Sequence, residues 1–438
     1  MQSLRTTCCI VGGGPAGVML GYLLARAGVR VTVLEKHQDF FRDFRGDTVH
    51  PSTLDVMHEL GLLDGLLRLP HERVTSVTAR IGDYDFEAAD FRLVPTHCKF
   101  VALMPQWDFL NFLSGRAKRF EGFDLRMRYE ATGLIRAGNQ ITGVKAQSPA
   151  GPVEIKADLV VACDGRHSTI RQSARLSVEE FGVPIDVLWF RISRQPSDPQ
   201  QVLGNINYGK ALILINRNDY FQAGLIIRKG TFDQIKAQGL EAFRQSIAQI
   251  APYLGDRVYE IENWNQIQLL TVQLNRLHRW HLPGLLCIGD AAHAMSPAGG
   301  VGINLAIQDA VAAANLLAAP LRTGRVTRSV LEQVQMRREF PTRVTQFLQV
   351  YAHKALNAVF ETHGPIEAPW QLKAVDAVPG RKWIMGYIVG VGIRPEHVRD
   401  PEKPAALGVL QDFAVRFGAA LGRIVRTARM LRGVMANQ

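Results

Sequence analysis

Along the first 35 residues the hydrophobic pattern changes period twice. Cys8 to Val11 is a continuous apolar run of strand length, Val18 to Ala27 carries apolar residues at helical spacing, and Val31 to Leu34 is again a short run rich in β-branched residues. The glycine cluster Gly12 to Gly17 separates the first two, so the order strand, turn, helix, strand predicts a βαβ unit. Two later runs, Asp158 to Cys163 and Gly284 to Ile288, also read as strands, and each is followed by an aspartate–glycine or glycine–aspartate pair. An alanine-rich helix is expected over Ile303 to Leu317. Widely separated segments are thus expected to build one nucleotide-binding domain.

Between these segments, Val74 to Cys98 and roughly Leu176 to Val272 carry β-type runs. Ala211 to Ile215 and Tyr220 to Ile227, joined by the turn-like Asn216-Arg217-Asn218-Asp219, read as a hairpin in a second sheet. The fold class expected is therefore α/β, a Rossmann-type domain built from 1–73, 99–175 and 273–340. A mixed β-sheet substrate domain, from 74–98 and 176–272, is inserted into it, and 341–438 is a helical C-terminal extension. Prolines 365, 369, 379, 395, 401 and 404 punctuate that extension. Its end places Leu421, Ile424, Val425, Ala428, Leu431 and Met435 on one helical face, with Arg423, Arg426 and Arg429 largely opposite. Such a basic amphipathic helix either docks on its own chain or makes a peripheral membrane contact.

Composition narrows this picture. With 47% hydrophobic and 21% charged residues, the chain of 438 falls in the range of globular proteins. The net charge of +11 is concentrated after Pro341, without a zinc-finger, RRM or helix-turn-helix pattern. That argues against nucleic acid and for an anionic cofactor or a membrane surface. Five cysteines without CxxC spacing indicate neither a disulfide framework nor a metal site, so Cys8, Cys9, Cys163 and Cys287 are read as buried small hydrophobes. The apolar run Trp383 to Ile393 is shorter than the roughly 20 residues a spanning helix needs. Met1 to Thr7 leaves no room for a signal peptide, so a cytoplasmic location is expected.

The densest chemistry lies in Gly12-x-Gly14-x-x-Gly17, which follows a strand and opens a helix, with Glu35 at the end of the next strand. Gly12 permits the tight turn, and Gly14, beside Pro15 and Ala16, lets the backbone approach a pyrophosphate. Gly17 lets helix and strand pack closely, and Glu35, followed by Lys36, can hold ribose hydroxyls. This pattern predicts a bound dinucleotide without separating FAD from NAD.

Two further motifs make that separation. Asp164-Gly165-Arg166-His167-Ser168-Thr169-Ile170-Arg171 and Gly289-Asp290-Ala291-Ala292-His293, with the following Ser296-Pro297-Ala298-Gly299-Gly300-Val301-Gly302-Ile303-Asn304, resemble in kind and order the motifs of flavoprotein aromatic hydroxylases. That class is typified by para-hydroxybenzoate hydroxylase and the hydroxylases of ubiquinone biosynthesis, and the resemblance covers about residues 5 to 345. It implies noncovalent FAD, with Asp164 and Gly165 near flavin and nicotinamide, and Gly289 and Asp290 at the ribityl and pyrophosphate region. Pro297, Gly299, Gly300 and Gly302 would form the flavin-facing catalytic loop leading into Ile303 and Asn304, with no side-chain nucleophile. Arg45 and Gln106 resemble residues that also touch FAD. The implied reaction uses NADH or NADPH to reduce the flavin and O2 to form a C4a-hydroperoxide that hydroxylates an aromatic or quinone-like small molecule. Alternatives on the same scaffold are a flavin-dependent reductase or dehydrogenase and a non-catalytic FAD-binding protein.

The amides at the start of the helix after Gly302 could face the anionic edge of a reduced flavin. His293 is expected to be structural. Substrate contacts can be assigned only by location in the second sheet, to Trp189, Arg191, Tyr208, Arg217 and Tyr220. A homodimer is one expected assembly.

Overall fold

The computed structural model describes residues 2–41, 48–199, 202–217, 219–362 and 364–400. The βαβ unit forms from strand Gln2–Val11, helix Pro15–Arg26 and strand Val31–Glu35. Its strands lie in a parallel core ordered Leu285–Cys287, Gly151–Ala162, Gln2–Val11, Val31–Glu35 and Phe123–Met127. Both faces of this core are covered, which is why its strands read as continuous apolar runs. Leu20 and Leu24 of the first helix and Ile307, Val311 and Leu317 of helix Gly302–Arg322 share one hydrophobic cluster with Ile10 and Val33. Gly302–Arg322 is apolar and long enough to cross a membrane by composition, yet most of it is buried as the core helix of this domain. All five cysteines are free, and burial pushes the Cys9 thiol up to about 12.

The second sheet has seven strands in the order Gln268–Leu270, Ile185–Ser193, Tyr220–Arg228, Lys210–Arg217, Val202–Asn207, Ser76–Ile81 and Tyr84–Asp90. Val202–Asn207 and Ser76–Ile81 pair in parallel while their neighbours are antiparallel, so the sheet is mixed. On its central strands the side chains alternate between two clusters. Leu188, Phe190, Leu212, Leu214, Phe221 and Leu225 pack outward against helix Leu240–Ile250. Val187, Trp189, Ala211, Ile213 and Ile226 join Met295, Val301 and Leu305 on the inner side.

The region 176–272 carries the expected β-type runs and also holds the helices Phe232–Ala237 and Leu240–Ile250, followed by 3-10 turns over Pro252–Glu260. Phe243, Ile247 and Ile250 stand at i, i+4 and i+7, a helical rather than an alternating pattern. The boundary placed at residue 341 falls inside helix Arg328–Phe360. Pro341 offers no amide to the preceding turn, a loss of roughly 3 kcal/mol in an isolated helix, but the helix is clamped on both sides of it by buried contacts of Arg338, Gln346 and Gln349.

The apolar run after Trp383 forms helix Arg381–Gly390, seated on strand Tyr84–Asp90 by a close approach at Gly386. The basic segment Leu421–Met435 lies outside the described residues.

Packing and ligand-facing glycines can be told apart by substitution. A Cβ at Gly17 would stand 1.9 Å from the Gly12 carbonyl oxygen, whereas none of the surrounding atoms lies within 4 Å of a Cβ at Gly14. Gly17→Ala is therefore expected to lower stability by at least about 2 kcal/mol in urea unfolding. Gly14→Ala should cost less than about 1 kcal/mol, the loss of a modest N-cap. Equal losses would contradict this packing.

Candidate active site

The carboxyl ends of the parallel strands meet at one edge, where open α/β sheets bind ligands. Cys163 N donates to Val11 O at 2.7 Å and Ile288 N to Ala162 O at 3.0 Å, which brings the glycine turn, the DG segment and the GD segment together. Gly12 has φ +106°, and a Cβ there would stand 2.3 Å from Cys163 O, so the turn closes only with glycine. Gly14 caps helix Pro15–Arg26 with extended backbone and open space before it. Glu35 is tied back to this turn, accepting from Gly13 N and from His37 N, each at 3.0 Å. Lys36 is exposed beside it. Ala16 reaches the GD turn, where a Cβ on Gly289 would come within 3.1 Å of its own Cβ. Amides of a helix start, a nearby carboxylate and room for close backbone approach at Gly14 are what a dinucleotide pyrophosphate and ribose require.

Asp164 is turned partly inward. Its carboxylate accepts from Ser168 Oγ at 2.5 Å and Ile170 N at 3.1 Å, stabilising the short helix Thr169–Ser173, and burial raises its pKa. Gly165, with φ +85° and no atom within 4 Å of a would-be Cβ, keeps the turn open. Arg166 Nη2 lies 3.9 Å from Asp290 Oδ2, and the buried Arg171 donates to Ala291 O at 3.3 Å and Arg166 O at 2.6 Å. The two arginines thus lock the DG and GD segments together, and Asp290 remains partly exposed at the shared mouth. Gln106 begins helix Gln106–Ala117. Arg45 lies outside the described residues.

Behind the GD turn is a buried charge network with no separate signal in the sequence. Asp309 accepts from Gly289 N at 3.0 Å and Arg338 Nε at 3.0 Å, and its Oδ2 is 2.6 Å from His293 Nε2. Burial pushes the Asp309 carboxyl up, but His293 and Arg338 together hold it below the usual carboxylate range. Arg338 and Arg337 both reach Glu396, which fixes the chain after Pro395 to the same helix. His293 is accordingly a structural partner of Asp309, in a cluster that sets the backbone of Gly289.

The loop from Ser296 to Gly302 is held from two sides. Helix Arg328–Phe360 presents Gln346, Gln349 and His353, about one turn apart. Gln346 Nε2 donates to Asn275 O and Ala294 O, at 2.8 and 3.3 Å. Gln349 accepts from Ser296 N at 3.1 Å and donates to Ser296 O and Ala298 O, at 3.0 and 2.9 Å. His353 Nε2 is 2.8 Å from Ser296 Oγ, and burial lowers its pKa.

From the other side, Thr48 Oγ1 donates to Gly300 O at 2.7 Å, and Ser52 and Thr53 hydroxyls donate to Asn304 Oδ1 at 2.8 and 2.7 Å. Gly299 and Gly300 both have positive φ. Pro297 starts the turn, and Gly302 and Ile303 open the long helix, whose first intrahelical bond is Leu305 N to Val301 O. The amides of Gly302, Ile303 and Asn304 therefore have no carbonyl one turn back within the helix.

Four of the five substrate candidates share the sheet face that carries the inner cluster. Trp189, Arg191, Arg217 and Tyr220 alternate in phase with Val187, Ile213 and Ile226. Tyr208 does not join them: it occupies the turn between Val202–Asn207 and Lys210–Arg217, with φ +50°.

His50 offers a pH test of this loop. Its Nε2 is 3.0 Å from Gly300 O and its Nδ1 2.9 Å from Val389 O, yet burial lowers its pKa to about 4 against the two backbone contacts that raise it. Near neutral pH the ring is uncharged and donates to one carbonyl only. The unfolded chain takes up this proton below about pH 6.5, and the folded chain only below about 4, so stability is lost as pH falls across that window. The loss from this residue should be about 3 kcal/mol once pH reaches 4. In urea titrations at pH 7, 5.5 and 4.5, His50→Gln should show a correspondingly shallower fall than the parent. An identical slope would contradict the assignment.

A family profile described as FAD binding domain matches residues 5–348. 6-Methylpretetramide 4-monooxygenase of Streptomyces rimosus is 30% identical over 348 residues, covering 79% of this chain and 83% of that protein. Rifampicin monooxygenase of Streptomyces venezuelae is 27% identical over 315 residues, 69% of this chain and 61% of that protein, so the match spans about three fifths of that enzyme's length. Among solved structures, p-nitrophenol 4-monooxygenase from Pseudomonas putida shares the fold with a TM-score of 0.69 at 18% identity, covering 95% of this chain and 98% of that one. The anhydrotetracycline hydroxylase OxyS from Streptomyces rimosus gives 0.69 at 21%, covering 91% and 78%. With the glycine turn, the DG and GD segments and the glycine loop converging on one sheet edge, the chain belongs to the FAD-binding family of flavoprotein aromatic monooxygenases.

Proposed function

We propose that this chain binds FAD noncovalently along the edge described above and uses NADH or NADPH and O2 to hydroxylate an aromatic small molecule. The observation that carries this reading is the glycine loop Pro297–Gly302, which opens the helix Gly302–Arg322 and contributes Val301 to the apolar cluster of the second sheet. Bound FAD would supply the redox chemistry, taking a hydride from the nicotinamide and passing electrons to O2 so that one oxygen atom enters the ring and the other leaves as water.

The chain's own residues bind, orient and exclude water. The turn Gly12, Gly14, Pro15, Ala16 and Gly17 would hold the pyrophosphate, and Glu35 the ribose. Asp290 would hold the ribityl chain, with Asp164, Gly165 and Gly289 shaping the mouth. Amides of Gly302, Ile303 and Asn304 would stabilise negative charge on the reduced cofactor by fixed dipoles, without a side-chain base. Val187, Trp189, Ile226, Met295 and Val301 would keep the reacting ring dry.

Two measurements test this. Asp290→Ala should weaken FAD binding about tenfold or more in a flavin titration, through loss of a charge-assisted hydrogen bond; unchanged affinity removes Asp290 from the site. The FAD-loaded chain, given NADH or NADPH, isotopically labelled O2 and a panel of phenols and fused-ring phenols, should incorporate one labelled oxygen into product. Nicotinamide oxidation coupled instead to reduction of the organic substrate without oxygen would replace this reading with a reductase.

A further inference from the structure

Helix Arg328–Phe360 has two faces with different surroundings. One is buried and holds the glycine loop through Gln346, Gln349 and His353. The opposite face carries Met336, Phe340, Phe347 and Tyr351, which are 62, 58, 69 and 71% exposed, so none of the described residues covers it. Partly buried Val344 lies among them.

Phe340, Val344, Phe347 and Tyr351 follow one another at intervals of four, three and four residues, the spacing of a coiled-coil seam. From Met336 to Tyr351 the stripe runs about 22 Å along the helix. A chain that stays monomeric rarely leaves so much contiguous apolar surface in water. Four side chains of this size and exposure present roughly 500 Å² per protomer, about 1,000 Å² over two copies, which reaches the lower bound of a specific interface before flanking residues are counted.

The stripe is symmetric about the point between Arg343 and Val344. If a second copy is laid on it end to end, Met336 meets Tyr351 and Phe340 meets Phe347, each twice, because both pairs share that midpoint. The charges follow the same symmetry. Exposed Glu332 lies beyond one end and exposed Lys354 beyond the other, so an antiparallel pair sets each Glu332 near the Lys354 of the other copy. A parallel pair would set like charge against like. Arg343, at the centre, is already neutralised by Glu339, whose Oε1 lies 2.8 Å from its Nη2.

Other occupants fit less well. The end of the chain is tied at Arg399 N to Asn315 Oδ1 on helix Gly302–Arg322. The segment beyond it carries Arg416, Arg423, Arg426, Arg429 and Arg432, which would add cations beside Arg343 and Lys354. An anionic bilayer would meet Glu332 as well as the cations.

We propose that two copies of this chain associate through this stripe as an antiparallel, two-fold symmetric helix pair, with Phe340 against Phe347 and Glu332 against Lys354. An isologous contact of this kind closes on itself as a dimer. Because the buried face of the same helix carries Gln346, Gln349 and His353, the pair braces the helix that holds the glycine loop of each protomer.

The test is sedimentation of the FAD-loaded full chain over a wide range of concentration, where it should run as a dimer. Phe347→Glu combined with Tyr351→Glu should raise the dimer dissociation constant at least about 30-fold, since each change falls twice in the interface. Bound FAD and melting temperature should be retained apart from the loss due to dissociation itself. Glu332→Lys alone and Lys354→Glu alone should each weaken the dimer about fivefold, and the two together in one chain should restore it. These charge reversals leave the apolar stripe intact, so they test the antiparallel register independently of the Glu variant.

A parent chain that is monomeric throughout overturns the proposal. That holds whether the stripe then binds anionic vesicles, in a way the Glu variant abolishes, or is covered by the chain's own end, in which case the Glu variant melts lower with no change of mass. A dimer that survives the Glu variant, or one that the double charge reversal does not restore, overturns it as well.

Discussion

The rest of the site depends on how the peptide groups between Ala294 and Asn304 are satisfied. This stretch is irregular and buried at both ends, and buried backbone groups without partners are rarely tolerated. A loop of this kind keeps one shape only if other parts of the chain complete its hydrogen bonds. Gln346 and Gln349 do so from helix Arg328–Phe360, and Thr48 and His50 from the segment before helix Pro51–Glu59, while His353 holds the Ser296 hydroxyl and Ser52 and Thr53 hold the Asn304 side chain. Two residues with positive φ, Gly299 and Gly300, let the turn reach that geometry. The result is a helix start whose first-turn amides lack intrahelical acceptors and whose position is fixed by the protein.

The same constraint links the two sheets. Met295 and Val301 belong to the apolar cluster of the second sheet, while Ile303 and Ile307 belong to the core of the first. One short segment therefore connects the core of the first sheet with the inner cluster of the second. The Asp309 network acts in parallel: by accepting from Gly289 N and engaging His293 and Arg338, it fixes the GD turn from behind. Burying so many charged groups is stabilising only when each is paired, and here Arg338, Asp309 and Glu396 satisfy one another.

What was legible in the sequence was local. The turn from Gly12 to Gly17, the acid at Glu35 and the hairpin closing at Tyr220 each announce themselves within a few residues, because turn chemistry and side-chain period are short-range properties. The partners of the loop were not legible. Gln346, Gln349 and His353 carry no sequence motif, and the domain boundary expected at residue 341 falls inside the helix that presents them. His293 and Asp309 are 16 residues apart, and Arg338 and Glu396 lie farther along still, so only the folded chain shows one cluster. The substrate candidates were half legible. Alternation places Trp189, Arg191, Arg217 and Tyr220 on one face, but the positive φ of Tyr208, which takes it off the strand, needed the backbone.

The most direct test of a loop shaped by the protein rather than by its cofactor is residue-resolved hydrogen exchange with and without FAD. Without FAD, the amides of Ser296 and Gly300, bonded to Gln349 Oε1 and Pro297 O, should already exchange slowly. Those of Gly302, Ile303 and Asn304 should exchange fast and slow markedly when FAD is added. Fast exchange at Ser296 and Gly300 until FAD binds would contradict a preformed loop.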